Sequence, residues 1–442
     1  LKKVILKKNK IDNILKIPRP TVVSPNWSTM FDTPQEYFDE FELPYFYNEK
    51  NEVIAQKHYP KWSISHNSMI CNQQLFDIEE TPTNNYFYII GPSIPSDFYE
   101  KHKSFEDILD IDVINDIKNK KCKLVILHGD DGNYGEYVPF YSQDNTFENI
   151  NNLCVKSNFE KESVIFISQN LIANDFVQKQ NYNFICESFR IASETHVSNI
   201  QNLLDNHNNV SQNNIIEKLF LTYNKKTKNY RIYLLDKLIK NNLISNSIYS
   251  FYEPEDDTYN WQLESLNNLL SYKLKKTISL NNFLEILNQY SKKIEDKDME
   301  SFNGDYHGQF VQIDDYKKTF LSLVSESNVG NNTIYFSEKT FKPILAKHPF
   351  ILLSSPNSLK KLKELGYKTF DKWWDESYDE AIDYVDRIDK IINVLNELSK
   401  KSLDYLEKMK EEIQEVVDFN LQHYLKTKES NDFLYKILKK HM

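Results

Sequence analysis

Glycine is scarce in this chain, eight residues in 442, and the scarcity removes whole classes of nucleotide-binding loop. No G-x-G-x-x-G and no G-x-x-x-x-G-K-S/T occurs, so neither the dinucleotide fingerprint nor a P-loop is present. Cysteine is also sparse: Cys71, Cys122, Cys154 and Cys186 are widely separated, with no C-x-x-C pair. That spacing predicts free thiols in a reducing compartment, not a disulfide framework or a zinc site. No run approaches the roughly 18 apolar residues a spanning helix needs. The opening LKKVILKKNK has lysines without a following apolar core, so the expectation is a cytoplasmic chain without a secretory leader. Excess positive charge is missing too. A formal net charge of −10 excludes a broad nucleic-acid coat, which needs clustered cations, but not a local basic groove. Gly-x-Ser-x-Gly and His-Glu-x-x-His are absent, and with them the hydrolase signatures they carry.

What is present is globular: 40% hydrophobic and 27% charged residues. The length suits two domains of about 200 residues each. The abundance of Lys, Asn, Ile, Tyr and Phe fits an AT-rich genome and says little about activity. Residues 1–85 alternate aromatic-rich runs with Pro/Asn turns and read as an irregular N-terminal portion. From Tyr86 a rhythm sets in: strands at Tyr86–Ile90, Lys123–Leu127, Ser163–Ile167 and Phe184–Cys186, with a helical pattern over Phe105–Ile117. It restarts after the Asn-rich stretch near Asn206. A strand is expected over Lys218–Tyr223, a helix over Asn229–Asn241, and further strands over Ile248–Phe251, Thr319–Val324 and Phe350–Leu353. Ser355-Pro356 reads as a helix start and Gly366 as its stop, and long amphipathic helices follow Tyr378. The expectation is an α/β protein of two facing Rossmann-like domains with a cleft between, residues 1–205 and 206–442, closed by long C-terminal helices.

Three constellations could carry chemistry. Ser337-Glu338-Lys339 opens a short helix at a strand-to-helix junction, where free N–H groups and the positive end of the macrodipole suit an anion. Lys339 would add a charge for phosphate and Glu338 an acceptor for ribose hydroxyls; the plain alternative is a helix start with Lys in solvent. Asn224 and Lys225 follow the strand Phe220–Tyr223, and Arg231 shares a helix face with Leu234, Leu235 and Leu238. A guanidinium on an apolar face requires a partner, either an internal carboxylate or a ligand phosphate. The loop after Leu127 holds His128, Asp130, Asp131 and Glu136 beside three of the eight glycines. It is either a polar turn or the source of a general base, and the spacing selects none of the four. Asp110-Ile111-Asp112 and Asp296-Lys297-Asp298 match Asp-x-Asp formally. Both read as solvated, so no metal is expected. Trp373-Trp374 reads as a core-closing pair or, with Asp375 and Glu376, as a stacking surface for a base or sugar.

The block from Val324-Ser-Glu326-Ser through Ser337-Glu-Lys-Thr-Phe-Lys-Pro to the strand Phe350-Ile-Leu-Leu resembles the donor region of glycosyltransferases with the two-domain GT-B fold. The nearest pattern is fucosyltransferase-like, a Glu-Asn-Ser element followed by Thr-Glu-Lys and a strand, with Ser327 here in place of Asn. The run from Glu338 through Asp375 also resembles glycosyltransferase-like proteins of viruses and marine bacteria. The likeness spans Lys218 to Arg387. It implies a metal-independent transfer of a hexose-type sugar from a UDP- or GDP-sugar, with Lys339 on the diphosphate, Glu338 on the ribose, Arg231 as second phosphate ligand, and Glu326 in the first motif. A viral source would put the enzyme in the host cytoplasm and suggests 5-hydroxymethylpyrimidine in DNA, such as hydroxymethylcytosine, as acceptor, with Lys118, Lys120, Lys121, Lys225, Lys226 and Lys228 as a basic rim. A glycan or lipid-linked saccharide is the other acceptor class. A non-catalytic protein keeping a sugar-nucleotide fold is the reading of a different kind.

Overall fold

Short runs dense in branched and aromatic residues form the strands of two parallel sheets, and amphipathic stretches cross between them. The computed structural model describes residues 15–18, 76–79, 86–90, 102–107, 109, 111–128, 143–188, 216–224, 228–251, 290, 311, 313–330, 333–427 and 433–441. Two compact units result: Leu1–Ala192 together with Glu429–Met442, and Ser193–Lys428.

In the first unit the strands are β1 (Leu15–Pro18), β2 (Phe76–Glu79), β3 (Tyr86–Ile90), β4 (Cys122–His128), β5 (Val164–Ser168) and β6 (Ile185–Ser188). Helices α1 (Ile111–Lys118), α2 (Gln143–Lys156) and α3 (Ala173–Gln180) accompany them. The sheet order is β2-β1-β3-β4-β5-β6 and every pairing is parallel. Ile114 and Ile117 of α1 and Phe147 and Ile150 of α2 bury against Leu124, Ile126 and Phe166. Phe147 meets Phe166 edge-on at 5.4 Å, a geometry that aromatic quadrupoles favour. Cys122, Cys154 and Cys186 are free and buried, as their spacing predicts; Cys71 lies outside the described residues.

The second unit contains β7 (Lys218–Asn224), α4 (Asn229–Lys240), β8 (Ser247–Phe251), α5 (Ile313–Lys317), β9 (Thr319–Ser325), α6 (Glu338–Leu345), β10 (Phe350–Leu353), α7 (Ser358–Glu364), α8 (Tyr384–Ser399) and α9 (Leu403–Thr427). Its order is β10-β9-β7-β8, again all parallel. β9 is buried along its whole length and so is β10, which is why β10 is apolar throughout and β9 carries only small hydroxyl residues between its apolar ones. α10 (Phe433–Lys439) belongs with the first unit, where His441 meets Glu187 at 2.8 Å.

Both sheets are doubly wound. The chain leaves β7 for β8 on one side and returns across to β9 and β10 on the other; β1, β2 and β3 repeat the manoeuvre. Such reversals open a crevice at the carboxyl ends of the two strands that flank them. The α/β class and the two Rossmann-like units are those expected.

Local starts and stops differ from expectation in places. Residues 1–85, read as irregular, supply β1 and β2. Phe105–Ile117 is a 3-10 turn at Phe105–Asp107 and then α1 from Ile111, not one helix. α7 begins later than Ser355: Asn357 stands in the left-handed region at its start. The Asp379 carboxylate accepts from Leu359 N at 2.9 Å and Lys360 N at 3.2 Å. That cap comes from 20 residues downstream, beyond the reach of any local motif. Gly366 ends the helix at φ +92° as read. Among the described residues no helix is long and apolar enough to cross a membrane.

Candidate functional site

The crevice of the second unit lies between the carboxyl ends of β7 and β9. The helices that follow these strands, α4 and α6, leave toward opposite edges of the sheet. Two helix N-termini, each a source of unpaired N–H groups and positive potential, therefore flank one spot.

Glu326 ties this spot together. It follows β9 directly and is fully buried. Its Oε1 accepts from Ser337 N at 2.9 Å and from Thr340 Oγ1; its Oε2 accepts from Ser337 Oγ at 2.6 Å and Ser327 N at 3.1 Å. Four donors and a helix N-terminus compensate a carboxylate that would otherwise be costly to bury. Both oxygens are thereby occupied by the protein, and Glu326 acts on the site by holding α6 against the end of β9. Ser337 is the N-cap of α6, its hydroxyl accepting from Lys339 N at 3.3 Å.

Arg231 is 3% exposed. Sequence reasoning offers it a carboxylate or a phosphate; here it donates to main-chain oxygens and to a serine hydroxyl. Nη2 donates to Ser325 O at 3.0 Å and Glu326 O at 3.1 Å, and Nε to Ser325 Oγ at 3.3 Å. Tyr230 donates its hydroxyl to Glu326 O at 2.5 Å. The start of α4 is thus fastened to the end of β9, across the switch point.

Lys339 stands at the mouth, its side chain 29% exposed. Its ammonium donates to Glu338 Oε1 at 2.7 Å, Ser337 Oγ at 3.3 Å and Ser327 Oγ at 3.5 Å. Lys228, at the N-cap of α4, reaches Ser327 O at 2.6 Å. Ser327 is accordingly bracketed by two ammonium groups. Burial alone would raise the Glu338 carboxyl; the charge and hydrogen bond of Lys339, with the charge of Lys342, outweigh it and hold that carboxyl below its ordinary value.

Asn224, at the end of β7, is buried. Its N donates to Ser250 Oγ and its Nδ2 to Thr222 Oγ1, both at 3.3 Å, while Oδ1 has no hydrogen-bond partner among the described residues. It lines, with Arg231, Thr222, Tyr249 and Phe251, a cavity of about 10 Å³, room for about one water molecule. Lys225 lies outside the described residues, as do Lys226, Asp130, Asp131 and Glu136. His128 is the last residue of β4, in register with Ser168 of β5.

The proposed basic rim is divided by topology. Lys118, Lys120 and Lys121 precede β4, at the amino edge of the first sheet and away from its carboxyl-end crevice. Each carries an acidic partner: Glu106 at 3.0 Å, Glu160 at 2.9 Å and Asp116 at 3.7 Å. Asp112 of the first Asp-x-Asp is exposed on α1, and among the described residues no group of three or more His, Cys, Asp or Glu side chains is arranged to hold a metal. Trp374 stacks on Phe370 at 5.1 Å in the core, Glu376 accepts from Thr369 Oγ1 and Phe370 N, and Asp375 accepts from Ser377. These side chains serve the packing of the second unit.

Three residues at this edge escaped sequence reasoning, and Lys228 was counted only toward the acceptor rim. Tyr230 follows Asn229 with no motif to mark it. Lys342 follows Glu338 by four residues, a helical spacing that was legible. Arg387, 1% exposed, donates to the carbonyls of Val329 at 3.1 Å and Ser354 at 2.5 Å, clamping the turns after β9 and β10. Its signal was the same as that of Arg231, a guanidinium on an apolar helix face.

No family model and no curated protein sequence matches the chain. Among solved structures it is similar to a UDP-forming trehalose-phosphate synthase from Burkholderia xenovorans, at 8% identity and a TM-score of 0.40 over 86% of this chain and 80% of that one. It is also similar to the HepE protein of Anabaena, solved with UDP and glucose, at 8% identity and a TM-score of 0.37 over 94% and 99%. A third is the N-terminal domain of trehalose-6-phosphate phosphatase from Candida albicans, at 10% identity and a TM-score of 0.34 over 97% and 99%. At these values the likeness decides nothing about the site, whose chemistry is read from its own residues.

Proposed function

We propose that the chain is a metal-independent glycosyltransferase of the GT-B kind, moving a hexose-type sugar from a UDP- or GDP-sugar to an acceptor hydroxyl. The observation that carries this reading is the pairing of Lys339 and Lys228 around Ser327, at a switch point flanked by two helix N-termini. A nucleoside diphosphate is the leaving group whose charge that arrangement matches. Lys339, Lys228 and the N-terminus of α6 take the phosphates; Glu338 accepts from the ribose hydroxyls. Glu326, Ser337 and Arg231 hold these groups in position through the bonds they make to each other and to the main chain. Asn224 and Lys225 belong to the same edge. The second unit forms the donor side and the first the acceptor side, where His128, Asp130, Asp131 or Glu136 removes the proton of the acceptor hydroxyl.

For the acceptor, a saccharide is favoured over DNA carrying 5-hydroxymethylpyrimidine. Three of the six lysines counted toward a DNA rim are ion-paired at the amino edge of their sheet, and Lys228 is taken up by the donor phosphates.

Calorimetric titration of UDP and GDP into wild type and Lys339→Ala tests the donor reading. A charge-assisted contact to phosphate is worth about 1.5–3 kcal/mol, so the variant loses roughly ten- to a hundredfold in affinity. Equal, absent binding in both proteins would mean a non-catalytic chain that merely keeps the fold; equal, measurable binding would remove Lys339 from the phosphates. Incubation with labelled UDP- and GDP-sugars, hydroxymethylcytosine DNA and oligosaccharides, followed by mass spectrometry of the product, identifies the acceptor; transfer to the DNA alone would reverse the preference for saccharide.

A further inference from the structure

Lys342 is the cation of α6 that the donor reading leaves unused. It is only 9% exposed, and the carboxylate whose charge acts on its ammonium is Glu338, one turn before it. Burying a charged amine is unfavourable. The proton affinity shows the cost: burial pushes Lys342 down to about 8, with the Glu338 carboxylate opposing and the Lys339 ammonium adding to the fall.

Glu338 stands four residues toward the N-terminus of the same helix, the order in which a Glu-Lys pair across one turn is most favourable. The pair is open because Lys339 holds Glu338 Oε1 at 2.7 Å. Lys339 in turn directs its three donors to Glu338, Ser337 and Ser327. An incoming diphosphate engages Lys339 only by displacing one of these partners, and the carboxylate is the one it repels. Glu338 is then an ionised, largely buried group beside an anion, and a second cation has to take it.

We propose that Lys342 is a positioning residue of the nucleotide site: it takes the Glu338 carboxylate as Lys339 passes to the diphosphate, and so keeps Glu338 on the ribose hydroxyls. This rests on the donor reading above. Neither lysine needs to move far, since α6 carries both on adjoining positions of one face, three residues apart. Lys342 acts through Glu338 and does not touch the phosphates.

The test is titration of UDP, GDP and their 2′,3′-dideoxy counterparts into the full chain, as wild type, K342M, K342R and K339A. K342M retains the apolar stem and removes the charge, and K342Q provides a second replacement. The ribonucleotides lose about tenfold in affinity for K342M, while the dideoxy forms change by less than about twofold. K342R recovers most of the loss, and K339A weakens both classes. Equal loss of both nucleotide classes in K342M or K342Q makes Lys342 merely structural and overturns the proposal, as does no change in either. Wild type that binds dideoxy and ribonucleotides alike overturns it without any variant, because no ribose contact then exists. Wild type that binds none of the four overturns the donor reading itself.

Discussion

A buried carboxylate with four donors cannot be replaced by its own amide. Gln at position 326 offers one acceptor oxygen, and its NH2 group would face two of the N–H and O–H donors that now point at Oε1 and Oε2. Glu326→Gln is therefore expected to lower stability by about 3 kcal/mol in denaturant titration, and nucleotide affinity falls with it because α6 loses its anchor. An unchanged midpoint would show that the network is not under load. His348 provides a pH-dependent counterpart. It donates from Nε2 to Thr319 O at 2.9 Å and accepts at Nδ1 from Ser322 Oγ at 2.8 Å. Burial, with the Lys410 ammonium, pushes its pKa down to about 3 against the opposing bond to Thr319. The unfolded chain takes up this proton below an ordinary pKa near 6.5, whereas the folded chain resists it until about 3. His348 thus favours folding above pH 6.5, and that contribution is lost as the pH falls from there toward 3. Stability measured between pH 6.5 and 4 should fall less steeply in His348→Asn than in wild type.

At the ends of helices the chain uses both local and distant devices. α6 is capped by its own Ser337, and this was legible, because a serine before an apolar stripe is a local signal. α7 is capped by Asp379, which no window around Ser355 contains. The other end of α7 shows why one glycine cannot be spared. Gly366 has φ +92°, and an added Cβ would lie 2.6 Å from His423 Cε1 of α9. That imidazole is itself held by a hydrogen bond of 2.8 Å to Leu365 O, so it cannot readily step aside. Gly366→Ala should cost about 1–3 kcal/mol, from backbone strain and overpacking together. Equilibrium unfolding with an unchanged denaturant slope checks it; a variant as stable as wild type would remove the packing argument.

For the molecule as a whole, the nucleotide proposal stands on the strand order. If the crevice between β7 and β9 binds a nucleoside diphosphate, UDP or GDP slows amide hydrogen exchange chiefly in residues 218–231 and 319–340, with the strands of the first unit far less affected. Protection concentrated instead in residues 122–188 would move the nucleotide to the first unit and displace Lys339 from its role.

Composition and pattern alone determined the α/β class, the position of the strands from Tyr86 to Phe350, the absence of glycine-rich phosphate loops and the choice of Ser337, Glu338 and Lys339. These depend on the period of apolar residues and on capping chemistry, which act over a few neighbours. Tertiary structure decided the rest. It gave Glu326 to Ser337 and Thr340, and gave Arg231 to the main chain of Ser325 and Glu326. It also buried Lys342 one turn beyond Glu338 on α6. The partner of a buried polar group is whichever donor or acceptor the sheet order brings alongside, and here those groups are up to 95 residues away. Spacing along the chain carries no record of that.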